Sequence, residues 1–205
     1  MLIEKKCKIC RSLGQKILWN NRCASNKCAL SRRRTRPGMH GAKPRVLSDY
    51  GRSLIEKQKI KFYYVLKEKQ LKRLVEEAEK MNEPTPQALI KLLESKLDNV
   101  IWRLGYTDSK LHAKQLVSHG HFLVNGKRVK SSFVFLSPGD VIEIRPQSKD
   151  IEPFKNLHKK FKIYTPPPWL RIDVNTLKGE FLRYPEPEEL NLPFNVPLAL
   201  QFYSK

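Results

Sequence analysis

The spacing of apolar residues along the 205-residue chain changes from helical to alternating near its middle, and the change predicts the elements. From Ser48 to about Lys80, the positions Leu54, Ile55, Gln58 and Phe62, then Leu71, Leu74, Val75 and Ala78, recur at helical intervals. This predicts two amphipathic helices with a break near Tyr64 to Lys67. Pro84 and Pro86 mark a short linker, with Thr85 as N-cap and Pro86 in the first helical position of a third helix through Leu89, Leu92 and Leu93. Two further stripes follow. Leu97, Val100, Ile101 and Leu104 are closed by Gly105, and Leu111, Leu116 and Val117 end near Gly120, which predicts a pair of short helices packed face to face.

The period then falls to two. Phe122 to Val129 reads as a hairpin turned by Asn125-Gly126, the strongest short hairpin signal, and Pro138-Gly139-Asp140 makes a turn before the strand Val141 to Ile144. Pro166-Pro167-Pro168 precedes an alternating strand from Trp169 to Val174, and a second strand is expected around Phe181-Leu182-Arg183. Pro185 to Glu189 is an acidic loop, and Leu198 to Tyr203 is a last apolar segment that packs back on the body.

Charge narrows the partner. Lysine and arginine number 40 against 20 acidic residues, a net +20 that exceeds what solubility requires and implies a polyanion. Residues 1–47 hold 13 basic residues and one acid, Glu4, so the basic pole is N-terminal. No apolar stretch approaches the ~18 residues that cross a bilayer. The first residues lack a signal-peptide core, and residues 1–47 hold turn-formers rather than a basic amphipathic helix. The expectation is a cytoplasmic protein that binds nucleic acid and no membrane.

All four cysteines lie in the first 28 residues, as Cys7-Lys8-Ile9-Cys10 and Cys23-Ala24-Ser25-Asn26-Lys27-Cys28. Two close pairs about a dozen residues apart can converge on one tetrahedral ion. Four sulfur ligands leave no open position for activated water, so Cys7, Cys10, Cys23 and Cys28 predict a structural site. Zinc is the default and an iron-sulfur cluster the alternative, because spacing does not separate them. Disulfides are disfavoured in a reducing cytosol.

Downstream run Ser31, Arg32, Arg33, Arg34, Thr35 and Arg36, followed by Pro37-Gly38-Met39-His40-Gly41-Ala42-Lys43-Pro44-Arg45. Two prolines and two glycines forbid a regular helix there, and neighbouring arginines repel unless counter-charged. An extended arm along phosphates answers both, since the arginine fork donates bidentately and contact releases counterions. His40 has no paired carboxylate or nucleophile nearby in sequence and reads as a loop residue touching RNA or solvent. Lys57, Lys59 and Lys61 could touch phosphate or simply be solvated, and Tyr50 and Arg52 join the candidate RNA-binding set.

Residues 94–145 carry the most specific pattern: Glu94-Ser95-Lys96-Leu97-Asp98-Asn99, Arg103-Leu104-Gly105, and His119-Gly120-His121 leading into Val124-Asn125-Gly126. This run resembles the α-L RNA-binding motif, the S-four domain. The whole chain resembles the bacterial-type S-four family of small-subunit ribosomal proteins. The likeness includes the cysteine pairs, Pro37 to Gly41, Leu47-Ser48-Asp49-Tyr50-Gly51, Glu56-Lys57-Gln58-Lys59, Leu92-Leu93-Glu94-Ser95, Trp169-Leu170 and the ending Phe202-Tyr203-Ser204-Lys205.

The resemblance implies a protein that binds the 5′ domain of small-subunit rRNA at a multi-helix junction early in assembly. It further implies a place beside ribosomal proteins three and five of that subunit, near the channel through which mRNA enters, with an influence on decoding fidelity. Lys43 and Arg45 fall in the segment the family points toward incoming mRNA. Lys110, Lys114, Lys127 and Arg128 fall in the RNA-facing part of the motif, where His119, Asn125 and Lys130 complete the candidate set. Lys110 and Lys114 replace arginines common in the family, which keeps charge and loses the bidentate fork. Val65-Leu66-Lys67 replaces the usual Gly-x-Ser before Glu68.

The expected architecture is α+β. A four-cysteine metal knuckle and basic arm occupy 1–47, and a helical domain occupies 48–94, with 196–205 packed back on it. An α/β domain occupies 95–195, with the motif in about 95–145 and a small, mostly antiparallel sheet. RNA-modifying enzymes also carry S-four domains, but a catalytic domain needs ~100 residues or more, and no such segment is left unassigned. A zinc-dependent DNA-binding protein lacks its base-reading helix here. The expectation is a ribosomal RNA-binding scaffold, with no catalytic residues and no small-molecule substrate.

Overall fold

A computed structural model describes residues 6–18, 23, 25–43, 46–152, 154–161 and 163–204. The chain divides into two compact units, one made of 1–89 with 191–205 and the other of 90–190.

The first unit begins with α1 (Lys6–Leu13) and the short α2 (Ala29–Arg32), in the region where the sequence predicts a metal knuckle. α3 (Asp49–Tyr63) starts where Ser48 accepts a hydrogen bond at its hydroxyl from the Gly51 N–H at 3.2 Å, with Asp49 in the first turn facing the positive helix end. It stops in a left-handed turn at Val65, where the Leu66 N–H reaches the Lys61 carbonyl at 2.9 Å. That six-to-one bond normally surrounds a glycine. Burial of Val65, Tyr64 and Leu66 holds a β-branched residue at φ +52° instead.

α4 (Glu68–Glu79) then buries Leu71, Leu74, Val75 and Ala78, the stripe read from the sequence. α5 (Thr85–Glu94) begins one residue earlier than predicted. The Pro84 carbonyl accepts from the Gln87 and Ala88 N–H groups, so Pro84 rather than Thr85 stands at the cap.

The last segment, α9 (Val196–Leu200), lies along α3. Asn195 fixes it in two ways, its side chain capping the Leu198 N–H at 3.0 Å and its own N–H donating to the Glu56 carboxylate at 2.7 Å. Beyond it, Phe202 places its ring 4.1 Å from the Lys57 ammonium and 5.5 Å from the Tyr50 ring.

In the second unit α6 (Leu97–Arg103) and α7 (Lys110–His119) pack together, with Leu97, Val100, Ile101, Leu104, Ala113, Leu116 and Val117 buried. Between them Gly105, at φ +84°, lies so close to Tyr164 that a Cβ would stand 2.7 Å from its ring. The strands β1 (Phe122–Val124), β2 (Lys127–Val129), β3 (Val141–Ile144), β4 (Leu170–Asp173) and β5 (Lys178–Phe181) form a sheet of order β2-β1-β3-β5-β4 in which the neighbours pair antiparallel. Asn125 and Gly126 both take positive φ, as a two-residue hairpin requires.

β5 ends at Phe181, where the sequence expectation had centred it on Phe181 to Arg183. Asp173 causes the shift, because its carboxylate takes the Asn175 N–H and the Thr176 hydroxyl and turns the chain back early. Gly179 is then needed in β5, since a Cβ there would sit 2.5 Å from Leu104. A short helix that the periodicity did not announce, α8 (Leu157–Phe161), buries Leu157 and Phe161 in the same core.

Candidate nucleic-acid interface

The second unit builds its surface on a buried ionic frame. Glu94 is fully buried, with its carboxylate gripped by Arg103 through two bonds of 2.9 and 3.1 Å and by the Asn99 amide at 2.7 Å. The Arg103 guanidinium lies 5.1 Å from the Trp102 ring and 5.7 Å from the Trp169 ring. Lys96 and Asp98 form a second buried pair at 3.0 Å. A bidentate fork on a desolvated carboxylate fixes direction as well as distance. It sets how α6 follows Glu94 and so where α7 can lie.

The candidate residues of the motif divide by position. Lys110 turns its ammonium inward, buried and 4.3 Å from the Trp102 ring centroid, and loss of hydration holds it well below the ordinary lysine range, with Glu94 opposing the shift. Lys114 is half-buried. His119, Asn125, Lys127, Arg128 and Lys130 are exposed and cluster at the exit of α7 and along the hairpin.

Arg128 is fixed there, donating from Nε to the Gly120 carbonyl at 3.1 Å and from its terminal nitrogen to the His119 carbonyl at 3.2 Å. The carbonyls at the end of a helix carry partial negative charge, so they are natural partners for this cation. Asn125 is engaged structurally, its amide donating to Asp140 at 2.7 Å and its oxygen accepting from the Val141 N–H at 2.9 Å. His121, the second histidine of the tripeptide, contacts Ser148 at 3.0 Å, and burial followed by the charges of His119, Arg128 and Arg145 holds it below the ordinary histidine value.

In the first unit Arg32, Arg33 and Arg34 are exposed and Arg36 is half-buried. The segment is more folded than an extended arm. Arg11 donates to the Thr35 and Arg36 carbonyls at 3.0 and 3.1 Å, and the turn that follows closes so tightly that a Cβ on Gly41 would overlap the Arg36 carbonyl. The loop borders a cleft of about 620 Å³ lined by Arg36, Met39, His40, Lys43, Leu47 and Ile55 among others. His40 and Lys43 are exposed there, and Arg45 lies outside the described residues.

Tyr50 and Arg52 are exposed at the start of α3, with Arg52 3.8 Å from Asp49. Lys57 and Lys61 both bind Glu68, at 2.5 and 3.0 Å, and Lys59 binds Glu56 at 2.7 Å. Burial alone would raise the Glu68 carboxyl, yet the two ammonium groups hold it below the ordinary range. Of the lysine alternatives left open by the sequence, the structure adds a third, internal ion pairing.

The four cysteines are free thiols, with Cys7 exposed and Cys10, Cys23 and Cys28 buried. Cys28 precedes α2, and the Ser31 backbone N–H, with that of Leu30, lowers its thiol against the opposing effect of burial. Among the described residues no group of three or more His, Cys, Asp or Glu side chains is gathered to hold an ion, so the predicted knuckle is not seen as a formed cluster. The donor set nevertheless suits a thiophilic metal, because three thiols are withdrawn from water and one is already biased toward thiolate.

Sequence reading missed Arg11, which orders the basic loop, and the Glu94–Arg103 frame. A glutamate and an arginine nine residues apart at otherwise apolar helical positions are the signal that could have found the second.

Residues 1–94 match the model of the ribosomal protein S4/S9 N-terminal domain, and residues 95–142 match that of the S4 domain. The chain is 44% identical over 200 residues to the small ribosomal subunit protein uS4 of Kosmotoga olearia, covering 97% of this chain and 96% of that one. It is 44% identical over 200 residues to the protein of that name from Thermodesulfovibrio yellowstonii and 42% identical over 201 residues to that from Thermotoga petrophila, with the same coverage.

Proposed function

The chain belongs to the uS4 family of small ribosomal subunit proteins, and on that premise we propose that it binds the 5′ domain of small-subunit rRNA as an early assembly protein. The observation that carries this reading is the exit of α7, where Arg128 is clamped to the Gly120 and His119 carbonyls with Lys127 and Lys130 exposed beside it. A cation held in place before binding loses little freedom on meeting phosphate. Recognition runs through RNA shape and backbone, since positioned cations along a sugar-phosphate path carry no base code. No covalent step is part of this function.

The basic loop of the first unit supplies a second contact region through Arg32, Arg33, Arg34 and Arg36. Lys43 and Arg45 face mRNA where it enters the subunit, and ribosomal proteins three and five are the protein neighbours, through which the chain influences decoding fidelity. Cys7, Cys10, Cys23 and Cys28 would hold one zinc ion or an iron-sulfur cluster. The group would cross-link a segment too charged and too small to order itself. Elemental analysis of anaerobically purified protein tests this, with about one metal site per chain expected, and neither zinc nor iron excluding it.

The test of the main reading is co-sedimentation with small subunits through a high-salt wash, together with binding to a 5′-domain transcript in the presence of duplex DNA competitor. Retention on the subunit and little competition are expected. Release from washed subunits with complete competition by duplex would contradict the proposal.

A further inference from the structure

Both family matches end by residue 142, and the stretch that follows holds a second group of cations. Elsewhere in this unit four cations are neutralised internally: Arg103 by Glu94, Lys96 by Asp98, Lys178 by Glu143 and Arg183 by Glu189. In residues 145–160 only Lys160 has an ion-pair partner among the described residues, Asp108 at 2.6 Å. Arg145, Lys149, Lys155 and Lys159 make no ion pair among those residues, and all but the half-buried Arg145 are exposed. Two acids in the stretch, Asp150 and Glu152, are exposed and make no ion pair among the described residues either, so basic charge stays in excess.

The stretch is fastened at His121, where the chain leaves α7 and enters the hairpin. The Arg145 N–H donates to the His121 carbonyl at 2.9 Å, Ser148 meets the His121 ring at 3.0 Å, and the Phe154 ring lies 5.9 Å from it. Lys149 and Lys155 therefore each follow directly on a residue that packs against His121. In α8 the inward residues Leu157 and Phe161 leave Lys159, two positions from each, on the outer side.

Four cations against two acids, none of them in an ion pair among the described residues, leave a positive excess that a polyanion from outside would answer. We infer that Arg145, Lys149, Lys155 and Lys159 form a second phosphate-contact strip, carrying the RNA surface of the hairpin past the S4 domain along the same RNA. The inference rests on the RNA-binding reading given above and adds its extent. Continuity with the exposed Lys127 and Arg128 favours RNA over an acidic protein segment.

The test uses the full chain and a 5′-domain transcript. The Lys149→Ala/Lys155→Ala/Lys159→Ala variant should flatten the slope of log affinity against log salt by roughly two units, at about 0.7 to 0.9 per lost phosphate contact. In the wild-type chain, transcript should shield these three lysines from acylation. An unchanged slope and undiminished acylation, in a protein whose Arg32, Arg33, Arg34 and Arg36 alanine variant does flatten the slope, would overturn the strip and leave an acidic protein segment as its occupant. A wild-type chain with no salt-dependent transcript binding at all would instead overturn the underlying RNA reading.

Discussion

A glutamate with no exposed surface is tolerable only when its charge is answered, and Glu94 is answered three times, by both donors of the Arg103 fork and by Asn99. Glu94→Ala leaves the Arg103 guanidinium without its carboxylate in a mostly buried position and should cost about 3 kcal/mol or more in urea unfolding. A loss under about 1 kcal/mol would show that the frame does not hold the unit together. His121 makes a prediction with a sign. Its folded-state value is depressed, chiefly by burial, so the folded chain binds fewer protons than the unfolded one. The stability it contributes is complete above about pH 6.5 and is lost as pH falls below that toward the folded value. His121→Gln should remove this part of the acid loss, read as a smaller drop in Tm between about pH 7.5 and about pH 5.5. Equal drops in both proteins would contradict it.

Elements were legible where one signal dominated, as in α4 and α6, whose apolar stripes are the buried ones, and in the hairpin, which turns at Asn125-Gly126. They were less legible where a side chain outside the period decided the ending. Asp173 turns β4 into β5 early, Pro84 takes the cap expected of Thr85, and the buried Val65 holds a glycine position. The exposed motif cations could be read as a set, but the inward turn of Lys110 could not, because it depends on Trp102 packing. The internal pairing of Lys57, Lys59 and Lys61 depends on where α4 places Glu68 and on Glu56 one turn away. The Lys67 side chain has no oxygen with which to cap α4, and the Gln70 side chain reaches back, accepting from the Lys67 N–H at 2.9 Å. Lys67→Ser should therefore stabilise the chain by about 0.5 to 1 kcal/mol, seen as a raised urea midpoint, and no change would mean that the Gln70 bond already satisfies this helix start. At the other end of the motif, Gly120→Ala places a Cβ in a left-handed backbone at φ +74° and 2.5 Å from Arg128 Nε. It should cost about 1 to 2 kcal/mol and weaken transcript binding by displacing Arg128. Full affinity in that variant would remove Arg128 from the interface.

Over the whole molecule a net charge of +20 would be self-repulsive without a polyanion, and its distribution points to where the polyanion lies. Some cations are internal, as in α3 and at Arg103, while those of the basic loop and the hairpin stay on the surface. No helix among the described residues is long and apolar enough to cross a membrane. The family identity fits a chain whose buried ions serve geometry and whose exposed cations remain in excess on the surface. The measurement that bears most directly on this is the affinity of the full chain for a 5′-domain transcript as a function of salt, with and without alanine at Arg32, Arg33, Arg34 and Arg36. The account predicts a steep inverse dependence that the four substitutions flatten by several units, roughly one per lost phosphate contact. A salt-independent affinity, or a slope that the four substitutions leave untouched, would contradict it.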